Sequence, residues 1–384
     1  MMKKKVCLLG ASGSIGSQSI EIMLKHANEF ELVSFSVGRQ VNKIPSIIEQ
    51  FPTVKKVCVM DEQEAKNLAK TYPNIEFFSK DEGLLKLIDD ADIVINALVG
   101  FVGLLPSIEA LKKNKILCLA NKESLVTGGE IINDLLAKGN GKLYPIDSEH
   151  VAIAKCLIVD SDNVDKIILT ASGGAFRDWP LEKLESATPE DALKHPTWTM
   201  GKKITVDCAN MANKAFEIIE AYYLFNYSLE RIDVLPHDES YIHSLVRYND
   251  GTYRASVGKA DMRPNIEFAL LEEKIDFETI TFNDYHELKD CHFRELSLER
   301  YPMLEFAKVV MEKRGTYGTV FNAADEVAAQ AFLDHKIKFT DVYKVVKKVM
   351  DEHQNIIHPS IEDILSADRT TRLRTSEIIK EGKF

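Results

Sequence analysis

Short apolar runs alternate with amphipathic stretches over the first 146 residues of the chain. Compact runs rich in Val, Ile and Leu predict buried strands, and apolar positions three or four residues apart predict helices. The predicted strands are "KVCLLG", "ELVSFSV", "KVCVM", "DIVINAL", "KILCLAN" and "KLYPI", and helices such as "SIGSQSIEIMLKHA" and "LPSIEALKKN" separate them. This alternation predicts an α/β domain over residues 1–146 with a doubly wound parallel sheet, which is a Rossmann-like fold.

The pattern changes after residue 146. "KIILTASGGAF", "SLVRYNDGTYRASV" and "ETITF" predict a second sheet, in which Asp250-Gly251 marks a hairpin turn. From residue 303 the pattern is helical, with "MLEFAKVVMEKRG", "AADEVAAQAFLDHK", "FTDVYKVVKKVMDEH" and "TTRLRTSEIIKEG". We therefore predict a central α+β catalytic domain over 147–290, a linker over 291–302 and a C-terminal helical domain over 303–384.

Composition limits the classes of function. The chain has 384 residues, is 45% hydrophobic and has a formal net charge of -11. This charge argues against general binding to nucleic acid or to anionic membranes. No stretch reaches the roughly 18 apolar residues of a membrane span. The 6 cysteines are scattered, as in proteins of a reducing cytoplasm.

The segment "GASGSIG" lies between a predicted strand and a predicted helix. Its glycines, Gly10, Gly13 and Gly16, form a variant of the dinucleotide fingerprint, which brings backbone N–H groups to a pyrophosphate at a helix N-terminus. A tight turn that merely needs glycine is the alternative. The next strand is followed by Arg39, where NAD-binding proteins usually have an acidic residue, so NADPH is favoured over NADH. The alternative for Arg39 is a solvated surface side chain.

Carboxylates follow the strand "KLYPI". On an extended segment, Asp147 and Glu149 would point to the same face, and Glu217 lies on a predicted helix flank with Asn213 and Lys214. Three carboxylates without clustered His or Cys suggest a hard cation, Mg²⁺ or Mn²⁺. The alternative is two solvated acids and an ordinary helix salt bridge.

Polar residues in two further segments suggest a phosphate site and a lid. The turn "ASGGAF" offers Ser172 and backbone amides, which could hold a phosphate together with Asn213 and Lys214. In the loop over 195–203, Trp198 lies among polar residues and is a candidate for a mobile lid, although a Trp packed into a nearby core is an ordinary alternative.

In order along the chain, the motifs resemble those of the 1-deoxy-D-xylulose 5-phosphate reductoisomerase family. The resemblance spans nearly the whole length and rests on "GASGSIG", "LANKESLVTGG", "PIDSEH", "LTASGGAF", "HPTWTMGKKITVD", "MANKAFEIIEA" and "FNAADEVA". It implies an NADPH- and metal-dependent enzyme that forms 2-C-methyl-D-erythritol 4-phosphate, a step of non-mevalonate isoprenoid precursor biosynthesis. It also implies a phosphorylated keto-sugar substrate, a homodimer and a cytoplasmic location.

The resemblance also assigns roles to individual residues. The metal ligands would be Asp147, Glu149 and Glu217. Cofactor contacts would come from Ser12, Gly13, Ser14, Ile15, Gly38, Arg39, Gln40, Asn121, Glu123 and Gly201, and the glycine fingerprint adds Gly10 and Gly16. Substrate would be held by Lys122, Ser148, Glu149, Ser172, His195, Trp198, Cys208, Asn213, Lys214 and Glu217. Trp198 and Met200 would belong to the mobile loop over 195–203.

One position departs from the family pattern. Cys208 replaces a serine that would donate to the phosphate, and a thiol is a poor donor. Asn210 is a candidate to compensate for that loss.

The implied mechanism uses the metal as a Lewis acid during rearrangement of the carbon skeleton, followed by hydride transfer from NADPH. We predict that Lys122, Glu149 and Asp147 are the catalytic residues, with Lys122 and Glu149 handling protons. A retroaldol and aldol sequence is favoured over an α-ketol shift, and the residues leave both routes open.

Three rival interpretations remain at this point: a metal-independent NADP-dependent dehydrogenase of another small substrate, a non-enzymatic NADP-sensing module, and a carboxylate-pair hydrolase.

Overall fold

The computed structural model describes residues 2–274 and 290–384, so the predicted strand "ETITF" lies outside the described residues. The described chain divides into two compact units. The first unit holds residues 2–124, 131–151 and 261–274, and the second unit holds residues 125–130, 152–260 and 290–384. The three-domain division stays a prediction, and each unit is described in turn.

The first unit contains a 7-stranded sheet in the order β4-β3-β2-β1-β5-β6-β7. Every pairing in it is parallel. The central strand β1 pairs on both sides, with Val6 opposite Leu32 and opposite Ile93. The strands are β1 (Lys4–Leu9), β2 (Phe30–Ser36), β3 (Lys56–Val59), β4 (Glu76–Ser79), β5 (Ile93–Asn96), β6 (Ile116–Leu119) and β7 (Lys142–Pro145).

Burial explains which of these strands the sequence reveals. The strands β1 and β5 are covered on both faces, so they appear as unbroken apolar runs such as Val6–Leu9. The strand β4 lies at the sheet edge and is only partly buried, and its short "EFFS" sequence was not predicted as a strand. The Rossmann-like prediction is therefore confirmed, with one edge strand added.

Helices flank this sheet along the chain. They are α1 (Ser14–Lys25), α2 (Ile44–Gln50), α3 (Glu62–Thr71), α4 (Lys80–Lys86), α5 (Leu104–Lys112), α6 (Glu123–Ala137), α7 (Ser148–Leu157) and α11 (Arg263–Leu270), of which α6 and α7 contribute residues to both units. The late helix α11 belongs to the first unit, where Ile266 and Leu270 join the core. Glu267 of α11 accepts from Lys25 at 3.0 Å and lies 2.6 Å from His26, which fastens α11 to α1.

The second unit contains a 4-stranded sheet in the order β11-β10-β8-β9. Its strands are β8 (Val164–Ala171), β9 (Ile232–Pro236), β10 (Ile242–Tyr248) and β11 (Tyr253–Val257). The predicted hairpin joins β10 to β11, and the backbone N–H of Tyr248 donates to Thr252 O at 2.9 Å. The strand β9, which pairs parallel with β8, was not predicted.

The helices of the second unit are α8 (Pro189–Ala192), α9 (Lys202–Asn210), α10 (Ala212–Phe225), α12 (Glu305–Lys313), α13 (Tyr317–Leu333), α14 (Phe339–Glu352) and α15 (Ile361–Glu381). The C-terminal helical region predicted from residue 303 is confirmed. Phe321 of this region packs against Phe216 of α10 in the core of the second unit, with their ring centroids 4.7 Å apart. Among the described helices of the whole chain, none is both long enough and apolar enough to cross a bilayer.

Candidate active site

The glycine loop, residues 10–13, connects β1 to α1 in the first unit. Gly10 has a φ of +86°, and a Cβ there would lie 2.6 Å from Ala97 O. A Cβ at Gly16 would lie 2.2 Å from Gly10 O, so the helix can approach the loop this closely only with glycine. These contacts explain two of the three motif glycines by chain geometry.

The N-terminus of α1 presents its backbone N–H groups beyond this loop. The first turn carries no acidic side chain, and Gly13 at the N-cap provides no side-chain acceptor. The loop itself is held by Ser36, whose Oγ accepts from Gly10 N at 2.9 Å, and by Lys43, whose Nζ donates to Ser12 O at 2.8 Å. The N–H groups and the positive end of the helix dipole suit an anion.

The segment after β2 contains Gly38, Arg39 and Gln40, and all three are exposed. Among the described residues, Arg39 makes no side-chain hydrogen bond or ion pair with the protein. Its guanidinium is therefore accessible to an external anion, as the prediction of NADPH requires.

Asn121 and Glu123 follow β6 and organise a neighbouring loop. The Asn121 Nδ2 donates to Gly100 O at 2.9 Å and to Leu98 O at 3.1 Å, and Glu123 accepts from Gly100 N at 2.9 Å. The Asn121 side chain is fully buried. Both side chains thus shape the loop after β5, and a role of either residue in holding the cofactor stays a prediction.

The segment "DSEH" is not extended, contrary to the sequence argument. The strand β7 ends at Pro145 and α7 begins at Ser148, so Glu149 lies in the first turn of a helix. The argument from strand alternation was therefore wrong, but the two carboxylates do come together, with one oxygen of Asp147 within 4.8 Å of one oxygen of Glu149. A carboxylate in this first turn instead interacts favourably with the helix dipole.

Lys122 is a buried cation of the first unit. It is only 7% exposed and its ammonium forms an ion pair with Asp147. The His150 Nδ1 lies 3.9 Å from the same carboxylate, and the Ser148 hydroxyl donates to Glu149. Lys122, Asp147, Ser148 and Glu149, which the sequence singled out, are thus neighbours in the structure.

Glu217 lies on α10 in the second unit and is 1% exposed. The Asn213 Nδ2 donates to Glu217 Oε1 at 2.5 Å, and the Lys214 ammonium is paired with Glu217 Oε2. The predicted helix flank is therefore confirmed. A buried carboxylate needs such partners because its charge is costly away from water.

The glycine turn, residues 172–174, follows β8 in the second unit. The φ angles of Gly173 and Gly174 are +78° and +67°. A Cβ on Gly174 would lie 2.5 Å from Cys208 O, so the turn packs directly against the backbone of α9. Glycine in the left-handed region is needed for this close approach.

His195 joins the glycine turn to the loop over 195–203. The backbone N–H groups of Thr197 and Trp198 donate to its Nδ1 at 3.2 and 3.0 Å. Because Nδ1 accepts, the proton of the neutral ring is on Nε2, which then donates to Ser172 Oγ at 3.0 Å. Burial, followed by the charge of Arg177, lowers the pKa of His195 to about 4, so the ring is neutral at pH 7.

Ser172 is consequently oriented as a donor. Its Oγ accepts from His195 and also from Gly174 N at 3.2 Å. With both acceptor positions occupied, the hydroxyl proton is the remaining hydrogen-bonding capacity of the side chain. Such a donor suits a phosphate oxygen.

The loop carries Trp198 and Met200, which are half-buried, before the exposed Gly201 at the N-cap of α9. The Trp198 ring centroid is 6.1 Å from that of His243 on β10. Trp198 therefore lies beside the second sheet in this conformation, and its function as a lid stays a prediction.

Cys208 is half-buried on α9, next to the glycine turn. Asn210 is two residues further along the same helix, which places it about 200° around the axis rather than on the same face. Its Oδ1 accepts from Ala212 N at 2.8 Å at the junction of α9 and α10. This bond satisfies the first backbone N–H of α10, whereas Asn210 Nδ2 makes no hydrogen bond within the described residues. The suggestion that this amide replaces the Cys208 donor stays a prediction.

Lys203 and Asp325 were missed by the sequence analysis. The Lys203 Nζ lies 2.6 Å from both Asp207 and the fully buried Asp325, and this pairing ties α9 to α13. The i, i+4 spacing of Lys203 and Asp207 was a readable signal. The contact with Asp325 was not, because 122 residues separate the partners.

Together, these features of the fold and site define a class of protein. The first unit is Rossmann-like, with an anion-binding glycine loop and an accessible arginine. The second unit presents hydroxyl, amide and ammonium donors near a glycine turn and a buried carboxylate. Such a combination is that of a dinucleotide-dependent enzyme acting on an anionic substrate.

Comparison with protein-family models gives three matches. Residues 6–129 match 1-deoxy-D-xylulose 5-phosphate reductoisomerase, residues 143–225 match the C-terminal domain of that enzyme, and residues 257–374 match a second DXP reductoisomerase C-terminal domain. Together these matches cover most of the chain.

Curated relatives agree. The chain is 42% identical over 373 residues to 1-deoxy-D-xylulose 5-phosphate reductoisomerase of Bacillus cereus, covering 96% of this chain and 98% of the relative. It is 41% identical over 382 residues to the enzyme of Bacillus subtilis, covering 98% and 100%.

Solved structures agree as well. The reductoisomerase from Zymomonas mobilis in complex with NADPH matches with a TM-score of 0.91 at 33% identity, covering 98% of this chain and 99% of that one. A DOX-P reductoisomerase in complex with NADPH, fosmidomycin and magnesium matches with a TM-score of 0.91 at 32% identity, covering 98% of each. The chain therefore belongs to the 1-deoxy-D-xylulose 5-phosphate reductoisomerase family.

Proposed function

We propose that this chain catalyses the NADPH- and divalent-metal-dependent conversion of 1-deoxy-D-xylulose 5-phosphate to 2-C-methyl-D-erythritol 4-phosphate, in isoprenoid precursor biosynthesis. The observation that carries the proposal is the near-complete match, at 41–42% identity, to curated reductoisomerases. A metal-independent dehydrogenase would have no use for the buried, donor-flanked Glu217 or for the acid pair of "DSEH".

NADPH is the cofactor of this proposal, and the first unit fits it. The N-terminus of α1 and the glycine loop offer N–H groups to a pyrophosphate, and the exposed Arg39 offers a guanidinium to a 2′-phosphate. When bound, NADPH supplies the hydride for the reduction.

A hard divalent cation fits the carboxylates. Asp147 and Glu149 of the first unit and Glu217 of the second are the proposed ligands, and each carries cationic or hydrogen-bonding partners from the protein. Oxygen donors of this kind favour Mg²⁺, and Mn²⁺ is the proposed alternative. When bound, the ion supplies Lewis-acid stabilisation of a developing oxyanion.

Proton handling falls to Lys122 and Glu149. Lys122 holds an ammonium proton at Nζ next to Asp147, within a buried environment. Glu149 accepts the Ser148 hydroxyl, which orients its carboxylate at the start of α7. A proton carrier that is held in place by packing and hydrogen bonds is ready before the substrate arrives.

The second unit holds the phosphate end of the substrate. Ser172 directs its hydroxyl proton outward, and Asn213 and Lys214 add an amide and an ammonium on α10. Binding of this remote, unreactive group orients the reacting end of the substrate. Closure of Trp198 and Met200 over the substrate would exclude water from a reactive intermediate.

We further propose that the chain works as a cytoplasmic homodimer. The support for this is the family resemblance alone, and light scattering of the purified chain at micromolar concentration tests the dimer.

The decisive experiment is a spectrophotometric NADPH assay with 1-deoxy-D-xylulose 5-phosphate, run with Mg²⁺, with Mn²⁺ and with EDTA. We expect substrate-dependent NADPH oxidation that EDTA abolishes and either ion restores. Turnover that persists in EDTA would favour the metal-independent dehydrogenase. NADPH binding without turnover under every condition would favour the sensing module.

A further inference from the structure

The glycine turn of the second unit is held by an arginine that no sequence motif singled out. The Arg177 Nη1 donates to Ser172 O at 3.2 Å and to Asp238 O at 2.6 Å. The first bond fixes the backbone of the residue whose hydroxyl faces the substrate. The second anchors the turn to the segment that follows β9.

The stem of Arg177 also packs against the turn. A Cβ on Gly173 would lie 2.8 Å from Arg177 Cβ, so the two residues are in direct contact. Tyr301 holds the other side of this glycine, and its hydroxyl donates to Gly173 O at 2.9 Å. The turn is therefore clamped by an arginine and a tyrosine, and only the arginine is bonded to Ser172 itself.

Two acidic side chains near Arg177 are bound more closely by another arginine. The neighbouring acids Asp178 and Asp238 are both bound by Arg294, which donates to Asp178 at 2.7 Å. The contacts of Arg177 with the same two carboxylates are longer, 3.4 and 4.0 Å. Burial first, and then the positive charge of Arg177, lowers the pKa of His195.

We propose that Arg177 is a positioning residue of the phosphate subsite. Its bond to the Ser172 carbonyl fixes the turn in which His195 Nε2 and Gly174 N both donate to Ser172 Oγ, and this arrangement leaves the Ser172 hydroxyl as a donor for the substrate phosphate. The inference rests on the proposed function. It adds to the phosphate site a residue that acts on the substrate only indirectly, through Ser172.

Replacement of the arginine by an uncharged side chain of similar length tests this role. We expect Arg177→Met to raise KM for 1-deoxy-D-xylulose 5-phosphate about tenfold or more, since bonds between charged and polar groups are lost. The kcat should change less than KM, and KM for NADPH should stay within about twofold because the cofactor loop belongs to the first unit. Arg177→Lys keeps the charge and should recover part of the loss.

Arg300 provides a matched control on the same segment. Its Nη1 donates to Phe176 O at 2.8 Å, a bond of the same kind that does not involve Ser172. Arg300→Met should leave KM for the substrate within about twofold, while thermal unfolding is measured for both variants. Equal increases of KM in the two variants would overturn the proposal, as would a loss of stability in Arg177→Met with an unchanged KM.

A second readout separates this inference from the proposed function. Protection of the protein by inorganic phosphate against thermal unfolding requires no turnover. Arg177→Met should raise the half-saturating phosphate concentration about tenfold, and Arg177→Lys should give a value between those of the wild type and Arg177→Met.

If the wild type does not turn over 1-deoxy-D-xylulose 5-phosphate, the proposed function fails, but the shift in phosphate dependence still tests the role of Arg177. An unchanged phosphate dependence in both variants would refute the role. If Arg177→Met does not fold, Arg177→Lys carries the same test with a smaller expected shift.

Discussion

The glycine loop of the first unit and the glycine turn of the second both follow a buried strand, yet they present different donors. The loop leads into α1 and offers backbone N–H groups at a helix N-terminus. The turn over 172–174 offers the Ser172 hydroxyl, whose direction is set by His195 and Gly174. The glycine loop needs little beyond local backbone geometry, whereas the glycine turn needs side chains from distant segments.

This difference suits the two ligands. A cofactor pyrophosphate far from the reacting atoms can be held by a helix dipole and fixed amides. A substrate phosphate must also place the reacting carbons next to proton carriers, so directional side-chain donors are useful. The comparison predicts that mutations in each segment affect one ligand much more than the other.

The largest effect is expected outside both glycine segments. Glu149→Gln should lower kcat about a thousandfold, because Glu149 is proposed both to carry a proton and to bind the metal ion through its charge. The NADPH dissociation constant, measured by nicotinamide fluorescence, should remain near that of the wild type. Unchanged turnover would show that Glu149 has no role in the reaction.

Gly16→Ala tests the cofactor side of the comparison. The new Cβ would lie 2.2 Å from Gly10 O, which is backbone and cannot move aside easily. We expect weakening of NADPH binding by about a hundredfold and a loss of about 3 kcal/mol in the free energy of unfolding. Fluorescence titration and denaturant unfolding measure the two quantities.

Gly13→Ala is the internal control for that variant. A Cβ at Gly13 would lie 3.5 Å from Gly10 O, an ordinary contact, and the residue has a φ of −78°. Its unfolding free energy should therefore stay close to that of the wild type. Equal destabilisation by the two alanines would contradict the steric argument for Gly16.

Arg39→Ser should weaken NADPH binding about tenfold and leave NADH binding nearly unchanged, because a charge-assisted contact to a 2′-phosphate is lost. Titration with both dinucleotides gives the ratio directly. A parallel loss for both would place Arg39 on a part of the cofactor that the two share.

A pH series examines the substrate side. The pKa of His195 is lowered to about 4 in the folded protein, mainly by burial and then by Arg177, while an unfolded histidine titrates near 6.5. Between these values the unfolded chain binds the extra proton, so the stability that His195 contributes is present above pH 6.5 and is lost as the pH falls toward 4. His195→Asn should flatten this part of the curve of unfolding free energy against pH. If the unfolding free energy of wild type and variant changed equally with pH between 4 and 6.5, His195 would not be the group responsible for this pH dependence.

Much of the candidate site could be predicted from local sequence patterns. "GASGSIG" after an apolar strand was enough to place the glycine loop, because a strand, a turn and a helix N-terminus are adjacent in the chain. The i, i+4 spacing of Asn213 and Glu217 likewise predicted a contact that the helix α10 makes. The edge strand β4 escaped prediction since half-exposed strands lack the continuous apolar pattern.

Other features depended on tertiary context. The segment "DSEH" was predicted as extended, but α7 begins at Ser148, and apolar patterning over so few residues does not distinguish a strand end from a helix start. The suggestion that Asn210 substitutes for the Cys208 donor stays a prediction, because the two side chains lie about 200° apart around α9 and local sequence does not show what the Asn210 amide faces.

The sequence by itself determined the Rossmann-like alternation, the family and the chemical types of the site residues, because these are written in local patterns of hydrophobicity, glycine and charge. Only the tertiary structure decided that His195 donates to Ser172, that both acceptor positions of the Ser172 hydroxyl are occupied and that Arg177 holds the turn. The direction of a hydrogen bond depends on its partners, which come from residues far apart in the chain. Local sequence patterns therefore do not predict it.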